Sequence, residues 1–327
     1  GRMGEKYISI VKNLNLKIIG IYDKNKKRNI EVGLRNKLNK KICFSNIDRI
    51  LKQKPDIAII ASTSDSHLKL IKDCANHGIK KIMVEKPLTN SLINCKKLEV
   101  LSKNKKIKIC VNHSYRFSNQ FVYLKNKLNS KKLGKIISIN YLCGNLGISM
   151  NGTHFFDFFK FLTTSEIFKL RSNINIDKNI NPRGSKFNDF EGQISMWNKD
   201  GSRGYIDASN KSYHGETLTC ICKYGVFFID LLTGNTTINY RKPTYRKSPS
   251  NQYARPYILK REKIKIDGVL TMTKINLKKF LNDKDYVTLK DGIYPIKILI
   301  AAISSSKRKN SEVKINNLKN TKGFSWA

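Results

Sequence analysis

One lysine in this chain stands where a lysine can do chemistry. Glu85-Lys86-Pro87 follows the apolar run Lys80-Lys-Ile-Met-Val, which reads as a strand. Ligands in open α/β sheets collect at the carboxyl ends of strands. An amine there can take the proton from a hydroxyl that is being oxidised. As an ammonium it can hold the developing alkoxide and return the proton in reverse. Acting as a base requires its pKa to fall toward neutrality through burial or neighbouring cations. Pro87 biases Lys86 toward an extended backbone, which helps fix the amine. The plain alternative is a solvated lysine, one of very many. A second candidate is Gly152-Thr-His154-Phe-Phe-Asp157, where an imidazole and a carboxylate three residues apart share one helix face. Its alternative is a core-edge pair on a helix otherwise made of Phe155, Phe156, Phe158, Phe159 and Phe161, with Asp157 holding His154 in one tautomer.

The elements that must position these residues follow from pattern. Residues 56–61 read as a buried strand ending in small polar residues, and residues 67–77 as a helix with Leu68, Leu70, Ile71, Cys74 and Ala75 on one face, stopped by Gly78. His67 starts that helix. Residues 80–85 form the next strand, 92–104 a helix and 107–111 a strand. Gly1-Arg2-Met3-Gly4 opens a helical pattern, and residues 17–23 read as a strand ending on Asp23. An acid about 20 residues after a glycine-rich turn matches a dinucleotide-binding fingerprint, in which the acid bonds the adenosine ribose. The alternative for Asp23 is a turn cap with Lys24-Asn25. The chain opens at what would be the second glycine of that fingerprint, so a first strand before Gly1 is expected to be missing from it. Alternating strands and helices imply a doubly wound parallel sheet over residues 1–113. After Phe117 the pattern changes: a helix at 120–128, an alternating strand at 135–142, an aromatic helix at 154–162, then mainly strands from Ile167 to Lys265. A large, mostly antiparallel sheet with one covered face is expected over 114–327, with late helices near 273–281 and 292–307.

Composition bounds the partners. The 327 residues suit two domains, and the formal net charge is +39, from 63 Lys and Arg against 24 Asp and Glu. Such charge alone suggests nucleic acid. The lysines are spread evenly, however, among many Asn and Ile residues. That is the mix an AT-rich coding sequence produces, so no nucleic-acid partner is expected; an acidic or phosphorylated substrate remains compatible. No apolar stretch reaches membrane-spanning length and no secretory leader is read at the opening, so a cytoplasmic protein without a membrane partner is expected. The seven cysteines are scattered and fit free thiols. Cys220-Ile-Cys222 with His214 upstream lacks a second ligand pair, so no metal is expected.

With Gly1-Arg-Met-Gly4, Asp23, Ala61-Ser-Thr-Ser-Asp-Ser-His67, Glu85-Lys-Pro-Leu88, Tyr115-Arg-Phe117, Gly152-Thr-His-Phe-Phe-Asp157 and Ala301-Ala-Ile-Ser-Ser305 in that order, the chain resembles the glucose–fructose oxidoreductase / inositol dehydrogenase / MocA (Gfo/Idh/MocA) family. The resemblance implies an NAD(P)-dependent oxidoreductase acting on a sugar, polyol or nucleotide-sugar derivative. It implies a Rossmann domain followed by a substrate-binding domain whose open sheet is used for homo-oligomerisation. By that likeness Lys86 touches the reacting oxygen and His154 is a substrate-side catalytic residue. Gly1, Arg2, Met3, Gly4, Asp23, Ser62, Thr63, His67 and Glu85 would line the cofactor, Glu85 near the nicotinamide ribose. Asn151 and Asp157 would meet substrate, while Arg116 either does so or bridges the domains. Asp23 favours NAD by repelling a 2′-phosphate, and Lys24, Lys26, Lys27 and Arg28 leave NADP open. The sequence departs from the family at one position: many members carry an aspartate four residues before the motif histidine, where this chain has Met150. A non-catalytic ligand sensor on the same scaffold is therefore the rival expectation.

Overall fold

A computed structural model describes residues 1–130, 132–144, 146–177, 181, 184–212, 215–246, 257–318, 324 and 326. His214 lies outside the described residues. The chain divides into two compact units. The first takes Gly1–Ser114, Gly268–Ile293 and Thr321–Phe324; the second takes Tyr115–Asp267, Tyr294–Asn320 and Ser325–Ala327. A single cut after residue 113 therefore misses the return of Gly268–Ile293 to the first unit.

The first unit opens with α1 (Arg2–Asn13), β1 (Ile21–Tyr22), α2 (Lys26–Arg35), β2 (Cys43–Phe44) and α3 (Ile47–Leu51). β3 (Ile57–Ile60), α4 (Ser64–Asn76), β4 (Lys81–Val84), α5 (Leu92–Lys105) and β5 (Lys108–Val111) follow. Among the described residues the parallel strands fall into two groups, β1–β2 and β3–β4–β5. Ile82, Met83 and Val84 of the middle strand have no exposed surface, as expected of a parallel strand covered on both faces. Met83 and Cys110 point to a layer made by Tyr7 and Ile10 of α1 with Leu277 and Phe280 of the returning segment. Two expectations are corrected here. The strand read over 17–23 shrinks to Ile21–Tyr22, and an unread helix, α2, lies between it and β2. That helix buries only Asn29, Val32 and Gly33, too little apolar surface to mark a stripe.

The second unit contains α6 (Asn119–Asn129), β6 (Ile136–Leu142), α7 (Thr153–Thr163), β7 (Ile167–Ile176), β8 (Phe190–Asn198) and β9 (Arg203–Ala208). Next come β10 (Thr217–Cys222), β11 (Gly225–Asp230), β12 (Asn235–Tyr240) and β13 (Tyr257–Lys263). α8 (Val269–Leu281) belongs to the first unit. α9 (Leu289–Lys307) gives its first turn to the first unit and the rest to the second, which β14 (Val313–Lys314) completes. Nine strands lie in the order β13-β12-β11-β10-β6-β9-β8-β7-β14 among the described residues, antiparallel except for the β6–β9 pair. Alternation sends Ile139, Tyr141, Ile194, Ile206, Leu218, Cys220 and Phe227 to a covered face with the phenylalanines of α7. Gly204 makes that approach possible, since a Cβ there would stand 2.9 Å from the Phe159 ring. The other face is open, with Leu142 49 %, Ile221 36 % and Phe228 42 % exposed.

Candidate functional site

In the first unit the three strands end together: Ile60 pairs with Val84 and Val84 with Val111. Ala61, Glu85 and Asn112 come next, and the ladder runs one step further through Glu85 N–H to the Ile60 carbonyl and Asn112 N–H to the Val84 carbonyl, each 2.9 Å. The motif acid and lysine thus sit at the carboxyl edge, as their strand context predicts. Lys86 is half-buried and its bond to Pro87 is cis.

Glu85 is 5 % exposed and its carboxylate is held from several sides. Oε1 accepts from the Tyr7 hydroxyl at 2.9 Å and from Asn112 Nδ2 at 2.7 Å. Oε2 accepts from the Lys86 N–H at 3.3 Å. Burial, reinforced by the Glu85 charge, raises the Tyr7 phenol well above its ordinary value, so Tyr7 stays a proton donor. Asn112 Nδ2 also donates to Thr273 Oγ1 at 3.1 Å. Asn276 donates to the Val111 carbonyl at 3.2 Å and accepts from Val287 N–H at 3.2 Å. Glu85 is therefore part of a buried polar network reaching from α1 to α8. Tyr7 and Asn112 were not among the candidates read from sequence. The only local signal was a tyrosine, with its polar tip, on the apolar face of α1.

His67 is a correction. It does not start its helix: α4 begins at Ser64, which turns His67 fully inward. Its ring spans two carbonyls, Nδ1 at 3.0 Å from Leu88 O and Nε2 at 3.1 Å from Ser62 O, the N–H direction depending on tautomer. With no exposed surface it ties the loop after β3 to the loop after β4. Ser62 Oγ lies 2.6 Å from Ser66 Oγ, and Thr63 Oγ1 donates to Asp65 at 2.5 Å.

The glycine turn fits a diphosphate. Gly1 is the N-cap of α1 and, among the described residues, no side chain caps the helix, whose first-turn N–H groups lack an intrahelical partner. Gly4 faces Ala61 at the end of β3: a Cβ added at Gly4 would stand 3.8 Å from the Ala61 Cβ. Asp23 comes to the same place: Oδ2 is 3.0 Å from Gly1 N, and Oδ1 accepts from Asn25 N–H at 3.0 Å. Burial pushes the Asp23 pKa up, but the Asn25 hydrogen bond, the terminal ammonium of Gly1 and the Arg28 charge outweigh it and hold the carboxyl below its usual range. Arg2 is exposed, whereas the Met3 side chain is half-buried against the Tyr7–Met83 core.

In the second unit His154 is 5 % exposed on α7, and its ring lies flat against Tyr115, centroids 4.0 Å apart and planes within 8°. The Tyr115 phenol is raised by burial first and by the Glu216 charge second. Both Asp157 oxygens are taken by Arg116: Oδ2 accepts from Nε at 2.9 Å and Oδ1 from Nη2. The two candidate substrate residues thus meet each other. Asn151 Nδ2 donates to the Leu146 carbonyl at 2.5 Å. Ahead of α7, Ile148–Gly152 forms a single π turn, with Gly152 N–H 3.3 Å from the Gly147 carbonyl. The buried Asp189 fastens it. Oδ1 accepts from Ser149 N–H and Oγ, each 2.6 Å, and from Phe190 N–H at 2.8 Å; Oδ2 accepts from Met150 N–H at 3.3 Å. Burial raises the Asp189 pKa despite these donors.

Among the described residues no group of three His, Cys, Asp or Glu is placed to hold a metal, and no helix is long and apolar enough to cross a membrane.

Residues 1–113 match the model of the GFO_IDH_MocA oxidoreductase family, NAD-binding Rossmann fold. A curated relative, the uncharacterized oxidoreductase YhhX of Escherichia coli K12, is 32 % identical over 97 residues, 29 % of this chain and 28 % of that protein. The matched stretch therefore spans little more than a quarter of that relative. Levoglucosan dehydrogenase, solved with NADH and levoglucosan, superposes with a TM-score of 0.77 at 17 % identity over 96 % of this chain and 97 % of that one. A Gal80p super-repressor from Saccharomyces cerevisiae does so at 0.77 and 12 % identity, over 97 % and 95 %. These structures share the fold of both units. By their match to that model, residues 1–113 are similar to the NAD-binding Rossmann fold of the Gfo/Idh/MocA oxidoreductases.

Proposed function

We propose that the protein oxidises or reduces a hydroxyl or keto carbon of a sugar, polyol or nucleotide-sugar derivative, with Lys86 as acid/base. The observation carrying this reading is Lys86 at the carboxyl edge of β4, half-buried, behind the anchored Glu85. NAD, when bound, supplies the hydride acceptor or donor. The N–H groups at the start of α1 would hold its diphosphate and Asp23 its adenosine ribose, with Lys24, Lys26, Lys27 and Arg28 near enough in sequence to admit NADP. Lys86 would take the proton from the reacting hydroxyl oxygen or return it, with His154 as the assisting residue. Levoglucosan in the similar dehydrogenase favours a sugar. The open sheet face around Leu142, Ile221 and Phe228 supports pairing with a second copy of this chain, which light scattering checks by mass.

Titration with NADH and NADPH, followed by nicotinamide fluorescence, tests the cofactor half. Tighter NADH binding supports the assignment of Asp23, and no binding of either by folded protein overturns it. For the chemistry, Lys86→Ala is expected to lower turnover of an accepted sugar or polyol by roughly two to four orders of magnitude. Near-normal turnover removes Lys86 from the role.

A second reading, a ligand sensor without catalysis, is favoured by Met150. That side chain lies 3.6 Å from Asn181 Nδ2 and has no proton to move. The Gal80p likeness shows that the same fold occurs in a protein described as a repressor. Activity that appears only in Met150→Asp would favour it.

A further inference from the structure

We infer that Tyr7 couples the diphosphate-binding turn to the Glu85–Lys86 segment, so that a ligand held at the start of α1 also steadies the lysine. This rests on the Rossmann reading of that turn and goes beyond it. Tyr7 is one helical turn past Gly4, on the helix whose first N–H groups would receive the diphosphate. Its hydroxyl reaches across to β4 and donates to Glu85 Oε1 at 2.9 Å, in the core, 78 residues along the chain. Asn112 holds the same oxygen from β5 at 2.7 Å, and the other oxygen accepts the N–H of Lys86 itself. A helix that is free to rock or fray at its amino end would carry the Tyr7 hydroxyl with it. A helix clamped by an anion at that end keeps the hydroxyl on Glu85. Tyr7 and Asn112 are thus positioning residues, since neither needs to touch substrate. The raised Tyr7 pKa keeps the donor protonated through the working range. The energetic basis is a shared local opening: ordering α1 removes motion that the Glu85–Lys86 segment would otherwise share.

The test uses ADP, which occupies the diphosphate end and has no nicotinamide to contact Lys86. Amide hydrogen exchange is followed by mass spectrometry in the full chain and in Tyr7→Phe, which keeps the ring and removes only the hydroxyl. Equal melting temperatures show that the variant is folded. ADP is expected to slow exchange in peptides covering 1–14 and 83–88 of the parent, the latter by about threefold or more. In Tyr7→Phe it should protect 1–14 alone. Equal protection of 83–88 in both proteins, or none in the parent while 1–14 is protected, overturns the coupling. If ADP leaves 1–14 unprotected in the parent, the diphosphate assignment fails instead. The ligand-free comparison then decides the contact: faster exchange of 83–88 in Tyr7→Phe supports the Tyr7–Glu85 hold, and identical exchange ends it.

Discussion

The side chain of Asp157 is 2 % exposed and that of Arg116 14 %, so their two-point ion pair stands largely out of water. Removing one partner of a buried pair strands the other charge, a loss of about 3–5 kcal/mol. Arg116→Met is therefore expected to destabilise the second unit by about 3 kcal/mol, read by urea unfolding. A loss within about 0.5 kcal/mol would return Arg116 to the substrate. At this scale the sequence was legible where the signal was local. The place of Lys86 at the end of a strand was legible because the strand before it and the proline after it are its neighbours. The partners of Glu85 were not legible, because Tyr7 and Asn112 reach it only through the order of strands in the sheet. His67 was misplaced by one helical turn: the polar Ser64-Asp65-Ser66 hid a helix start whose fourth residue faces inward.

The π turn before α7 depends on Gly147. Its φ of +73° suits glycine, and a Cβ there would stand 2.0 Å from Asp189 Oδ2. Gly147→Ala is expected to cost more than about 2 kcal/mol, since strain and displacement of a buried carboxylate add. Gly201, at φ +86° with nothing within 4 Å, provides the control. Gly201→Ala carries the conformational cost alone, about 1 kcal/mol. Comparable losses in thermal melts of the two variants would mean that Asp189 yields freely. The aromatic helix after this turn was legible from its phenylalanines. The turn itself was not, because Asp189, which fixes it, lies beyond β7 in the chain. α2 was missed for the opposite reason: it is mostly exposed, and polarity hides a helix that packs with three residues.

Across the whole molecule, positive charge meets a small set of acids. Lys108 and Lys81 hold Asp283 below the ordinary carboxylate range, and Lys169 does the same for Glu312. A carboxylate with a depressed folded pKa contributes stability above its unfolded value and loses it as pH falls through the folded one. Asp189, raised by burial, works in the opposite direction. Acidification also adds positive charge to a chain already at +39. Melting temperature is therefore expected to fall between about pH 5 and pH 3, and less so in high salt. A flat profile would contradict this. The parallel sheet of the first half and the mostly antiparallel sheet of the second were legible from periodicity. The return of Gly268–Ile293 to the first unit was not, because α8 looks like any amphipathic helix until Leu277 and Phe280 are seen against Met83 and Cys110. That return has a consequence for biosynthesis. A ribosome delivers β4 and β5 early and α8 only after residues 115–267 have left the exit tunnel. The dinucleotide-binding unit must wait with its Met83–Cys110 face covered by α1 alone, while the central strands of the second unit, made in the interval, are free to assemble first.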